Sequence, residues 1–158
     1  MIIAITGHRP NKLGNDYNLT SPLIMGIKAK LQKIIEESKP TQIITGMALG
    51  IDTLWAELAI ENNIPFIAAI PCKNQEGKWP QKSKDRYSKI INHPLCIRVY
   101  VSDKEYDDKC MQKRNEYMVD TCDLLIAVWD GSPGGTANCV AYASQLKPVY
   151  QINPKTII

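Results

Sequence analysis

Four short clusters of this chain hold the residues best suited to chemistry. The first is the turn Asp130-Gly131-Ser132-Pro133-Gly134-Gly135-Thr136. Two adjacent glycines and a hydroxyl, set between an apolar run and a helical pattern, can aim unpaired backbone N–H groups and the positive end of a helix dipole at one point. A phosphate is the natural occupant of such a point, although the same residues could serve only as a tight turn capped by Thr136. The second cluster is Gly7-His8-Arg9, where the guanidinium of Arg9 suits a phosphate or carboxylate and His8 stands beside it as a second contact. The third runs from Gly46 through Gly50 to Asp52. Its glycines permit close approach of a ligand, and Asp52 either caps a helix or accepts a hydrogen bond from a ribose hydroxyl. The fourth is Arg114-Asn115. Asn115 shares a helical face with Met111, Met118, Val119 and Cys122, so an amide stands in an apolar stripe and must find a partner in the protein or in a ligand. Arg114 is expected either to contact phosphate or to brace the Asp130 loop.

These clusters need elements to position them, and the chain alternates short apolar runs with helical patterns. Residues 2–6, 42–45, 66–70, 97–101, 124–128 and 148–152 read as strands, while Leu23, Ile27, Leu31 and Ile34, then Ile51, Leu54 and Leu58, keep helical spacing. Strands that alternate with helices imply βαβ units with right-handed crossovers. The expected architecture is a single Rossmann-like domain over residues 1–158, a three-layer α/β/α fold with a mostly parallel sheet of about six strands. Ligands of such sheets bind outside the carboxyl ends of the strands, and the clusters at Gly7, Gly46 and Asp130 each follow a strand. The helix after the last cluster is expected over 137–146, with Ala137, Val140, Ala141 and Ser144 against the sheet. Residues 72–81 are irregular and are expected to form a lid, with Trp79, Arg86 and Tyr87 placed to stack on or hold a base.

Composition narrows the function classes. At 44% hydrophobic and 22% charged, the chain is an ordinary globular one, and disorder is not indicated. A net charge of +3 is too small to argue for nucleic acid, although Lys73, Lys78, Lys82, Lys84, Arg86 and Lys89 gather positive charge that Glu76 and Asp85 dilute. Five cysteines with no C-x-x-C pair, and only His8 and His93, suggest thiols in a reducing cytoplasm and no metal site. No membrane-spanning run and no leader is evident. The first loop is not G-x-G-x-x-G, and neither a P-loop nor a G-x-S-x-G elbow occurs, so no cofactor is implied.

Taken in order, Thr6-Gly7-His8-Arg9-Pro10, Thr45-Gly46 through Gly50-Ile51-Asp52, Arg114-Asn115 ahead of Met118-Val119-Asp120, and Asp130-Gly131 with Pro133-Gly134-Gly135-Thr136 resemble the YpsA-like branch of the SLOG superfamily. That superfamily is a Rossmann-like group that includes the DNA-processing protein DprA/Smf and the lonely-guy nucleotide phosphoribohydrolases. The resemblance implies a nucleotide or nucleotide-derived ligand. It also exposes a departure. The phosphoribohydrolase signature resembles P-G-G-x-G-T-x-x-E, whereas here Pro133-Gly134-Gly135 passes directly to Thr136 and the glutamate position is Cys139. The resulting expectation is a sensor, carrier or sequestering protein for a phosphorylated nucleoside derivative. Gly134, Gly135, Thr136 and Arg9 would hold the phosphate, with Gly46, Gly50, Asp52 and Asn115 around the sugar or base. A nucleotide N-glycosidase or deoxyribosyltransferase using Asp52, Asp130 or Glu57 is the enzyme alternative. Single-strand DNA binding through residues 73–89, with nucleic acid as the less favoured partner, is the third. A homodimer is compatible with all three.

Overall fold

Six apolar runs pair into one sheet: β1 (Ile2–Gly7), β2 (Gln42–Thr45), β3 (Phe66–Ile70), β4 (Cys96–Tyr100), β5 (Leu124–Val128) and β6 (Val149–Ile152). The structure is a computed structural model that describes residues 1–107 and 109–157. The strand order is β4-β3-β2-β1-β5-β6, and every neighbouring pair is parallel. Parallel neighbours require crossovers, which are supplied by α1 (Pro22–Ser38), α2 (Ile51–Glu61), α3 (Gln81–Ile91), α4 (Cys110–Thr121) and α5 (Gly135–Ala143). Strand periodicity sends Ile3, Ile5, Ile43, Phe66, Ile126 and Val128 to the face covered by α1, α2 and α3. Ala4, Ile44, Ala69 and Leu125 face the opposite way, onto Met118, Val119 and Cys122 of α4 and Cys139 and Ala143 of α5.

This order contains one reversal. The chain steps outward from β1 to β4, then returns to lay β5 on the other side of β1, so the switch point lies between β1 and β5. Gly7 is in register with Val128, and His8 N–H donates to Val128 O at 3.2 Å. Both strands therefore end level, which brings the loop after β1 beside the glycine-rich turn after β5.

Several boundaries differ from expectation. Helix α3 falls in the lysine-rich segment and buries only Ser83, Tyr87 and Ile90, too sparse an apolar face to read from sequence. Helix α5 begins at Gly135 and packs through Cys139 and Ala143, while Ala141 and Ser144 of the expected stripe are exposed. Strand β6 starts at Val149 because Pro148 has no N–H to give to a ladder. Among the described residues, no helix is long and apolar enough to cross a membrane.

Candidate ligand-binding site

A cavity of about 350 Å³ opens at the switch point. Its wall is built from Thr6 through Arg9 with Asn11 and Lys12 after β1, Ala48 and Asp52 around the start of α2, Met111, Arg114 and Asn115 on α4, and residues 132–136. Of the residues singled out from sequence, Gly7, His8, Arg9, Asp52, Arg114, Asn115, Gly134, Gly135 and Thr136 line it. Gly46, Gly50 and Asp130 do not line it, and each acts on a neighbour that does.

The glycine-rich turn leaves donors unused. Gly134 is the N-cap of α5 at φ +142°, a conformation that L side chains rarely adopt, and no side chain caps the helix. Thr136 lies inside the first turn and is therefore not the cap. The first N–H to reach a carbonyl is that of Asn138, which donates to Gly134 O at 3.0 Å. Those of Gly135, Thr136 and Ala137 are left without a partner among the described residues.

Two cations stand over this end. Arg9 is exposed at the rim and enters no ion pair among the described residues. Lys12, which was not foreseen, ends a 3-10 turn over Pro10–Lys12, and its Nζ donates to Ser132 Oγ and Pro133 O at 3.1 Å each. A lysine three residues past an arginine carries no distinctive signal; only the adjacency of β1 and β5 brings it to the turn.

Beneath the cations, His8 is 5% exposed, and its Nε2 lies 2.9 Å from Asp130 Oδ1. The backbone N–H of Asp130 also points at Nε2, from 3.2 Å; the closer carboxylate assigns the proton to Nε2, and the ring then donates to Oδ1. Asp130 Oδ1 also accepts from Ser132 N–H at 2.9 Å, and the Ser132 hydroxyl, its N–H and His8 together hold the Asp130 carboxyl well below the usual carboxylate range.

Asp52 is 5% exposed, and burial pushes its carboxyl up, opposed by the charge of Arg114, the Ala48 N–H and Arg9. It is not the helix cap: Gly50 occupies that position, and Asp52, two residues on, accepts from Ala48 N–H at 3.2 Å instead. Arg114 braces a different loop from the one expected. Its Nη1 donates to Gly46 O at 2.6 Å and its Nε to Asn115 Oδ1 at 3.1 Å, and it makes no hydrogen bond to Asp130 among the described residues. Gly46 has no room for a side chain, since a β-carbon would stand 2.5 Å from Arg114 Nη1 and 2.9 Å from Asp52 Oδ2. Asn115 completes the strut by donating from Nδ2 to Gly135 O at 3.4 Å.

Trp79, Arg86 and Tyr87 do not line this cavity. Trp79 and Tyr87 pack edge to face with centroids 5.4 Å apart, and Arg86 clamps Glu57 of α2 while donating to Asn18 O at 3.0 Å. Glu57, one of the carboxylates considered for the enzyme alternative, is thereby an ion-pair partner of Arg86 and does not line this cavity. Cys139, at the position where the phosphoribohydrolase signature has glutamate, is wholly buried, and burial pushes its thiol up to about 12.

A doubly wound parallel sheet with its crevice at the β1/β5 switch point defines a Rossmann-like α/β protein. Within that class the chain belongs to the family described as the YspA SLOG family, whose model matches residues 3–156. It is 34% identical over 146 residues to the uncharacterized SPbeta prophage-derived protein YoqJ of Bacillus subtilis strain 168, across 80% of this chain and 85% of that protein. A UPF0398 protein of Bacillus cereus strain AH820 is 23% identical over 154 residues, covering 92% of this chain and 83% of the other. Among solved structures, DNA processing protein A of Streptococcus pneumoniae superposes with a TM-score of 0.68 at 21% identity, over 96% of this chain and 50% of that one. The Helicobacter pylori protein of the same name gives 0.66 at 20% identity, over 97% and 65%. The chain thus spans half of the pneumococcal protein's length and about two thirds of the other's, and these likenesses concern the fold.

Proposed function

We propose that this protein binds a phosphorylated nucleoside derivative in the switch-point cavity, as a cytoplasmic sensor, carrier or sequestering protein. The carrying observation is the uncapped start of α5, where three unpaired N–H groups meet Lys12 and Arg9. One such donor or dipole contributes only about 0.3–1 kcal/mol at an exposed site, so their convergence is what makes an anion site. Asp52, buried and among the residues that line the same cavity, would accept from a sugar hydroxyl, and Asn115 bonds the turn at Gly135 O. The cavity sits at the small end of the range of about 300–1,000 Å³ usual for small-molecule sites, a size that favours a mononucleotide over a polymer. The solved neighbours are named for DNA processing, and one for single-stranded DNA binding, but at 20–21% identity these likenesses concern the fold. Cys139, turned into the core, argues against glycosidic cleavage of the phosphoribohydrolase kind.

Thermal unfolding in the presence of nucleoside 5′-monophosphates tests this. A ligand at a hundredfold excess over its dissociation constant adds about 2.7 kcal/mol to wild-type stability. Gly135→Asp, which places a negative charge at the start of α5, should abolish the shift. The reading is wrong if no nucleotide stabilises the wild type more than it stabilises Gly135→Asp.

A further inference from the structure

We infer that the cavity also hydrolyses a phosphate monoester, with His8 as the base that deprotonates water and Asp52 as the acid that protonates the leaving oxygen. This rests on the phosphate-binding reading above and goes beyond it. Three observations carry it. His8 and Asp52 are each 5% exposed, and both line the one cavity, so neither is a surface group that merely happens to be near. The Nε2 of His8 faces Asp130 twice, 2.9 Å from Oδ1 and 3.2 Å from the backbone N, whereas Nδ1 makes no hydrogen bond among the described residues; with the proton assigned to Nε2 by the carboxylate, the lone pair of Nδ1 is the one left to act as a base. Asp130 does not line the cavity; it holds the ring and the Ser132 N–H, with Lys155 Nζ 3.7 Å from its other oxygen, and is a positioning residue.

The environments of the two carboxyl groups support the division of roles. Asp130 is held ionised by Ser132 and His8, while burial favours the protonated form of Asp52. In the step itself, water oxygen bonds to phosphorus and passes a proton to His8 Nδ1. The ester P–O bond breaks, and the departing oxygen takes the proton of Asp52. An alcohol and inorganic phosphate leave, and both side chains then exchange protons with solvent to return to their starting states. Charge gathering on the phosphoryl oxygens meets the N–H groups of Gly135 and Thr136 together with Arg9 and Lys12.

The full-length chain, incubated in excess with p-nitrophenyl phosphate and with the common nucleoside 5′-monophosphates in ¹⁸O-water, should release phosphate carrying one ¹⁸O atom. His8→Asn should lower the rate by about a hundredfold or more. Asp130→Asn should lower kcat across the pH profile with little change in KM, because the ring is no longer held in its tautomer and orientation. A purely structural role for Asp130 would lower stability and leave the kcat of the folded protein unchanged. Should His8→Asn fold poorly, Asp52→Asn provides the second arm and should remove the basic limb. Thermal shift with the same nucleotides separates the two readings. Binding without phosphate release, release of free base, or undiminished release by both variants overturns hydrolysis and leaves binding standing; absence of binding overturns both.

Discussion

Arg114 holds the site together, because one buried guanidinium supports the β2 loop through Gly46 O, orients Asn115, and supplies the charge nearest the buried Asp52. Burial, with the nearby charge of Arg9, lowers its pKa, opposed chiefly by Asp52. Arg114→Met would leave Gly46 O and Asn115 Oδ1 unpaired in a buried site and remove the main charge that opposes the burial of Asp52, and should cost about 3 kcal/mol in chemical denaturation. At Gly134, φ of +142° admits no side chain without strain. Gly134→Ala should cost about 1–3 kcal/mol and displace the free N–H groups, which calorimetric titration would register as lost nucleotide affinity. The two acidic groups predict opposite pH behaviour. The folded pKa of Asp130 is depressed, so the stability it contributes is present above its unfolded value near 3.9 and is lost as pH falls toward the folded one. Asp130→Asn should therefore flatten the acid side of a stability-against-pH curve. The folded pKa of Asp52 is raised, so its contribution is full below the unfolded value and is lost as pH rises through the folded one.

At the scale of elements, the strands were legible because parallel strands buried on both faces appear as uninterrupted apolar runs such as Leu124–Val128. The clusters after β1, β2 and β5 were legible for the same reason: they follow those runs directly. Helix α3 was hidden by its lysines, and the true face of α5 was hidden because its start lies two residues before the first good helix former. Contacts between loops were not legible at all. The His8–Asp130 pair and the Lys12–Ser132 bond each join residues about 120 positions apart, and no local pattern encodes them. Lys12→Ala should weaken phosphate binding and reduce its salt dependence, as salt titration of the affinity would show. Arg86→Ala makes the contrasting case. Loss of the half-exposed clamp between α3 and α2 should cost about 1 kcal/mol of stability and leave nucleotide affinity unchanged.

Over the whole molecule, topology decides where chemistry can occur. A single reversal in strand order puts the ends of β1 and β5 side by side, and the uncapped α5, Arg9, Lys12 and the His8–Asp130 pair gather there. The lysine-bearing helix α3 lies on the opposite side of β2, toward the β3–β4 end of the sheet. A small ligand and a nucleic acid should therefore mark different parts of the molecule. Amide chemical shifts in an NMR titration with adenosine 5′-monophosphate distinguish them most directly. Saturable shifts largest at the N–H groups of Gly135, Thr136 and Ala137, with His8 and Arg9 following, are the expected result. Shifts confined to residues 81–91, or none anywhere, would contradict the account.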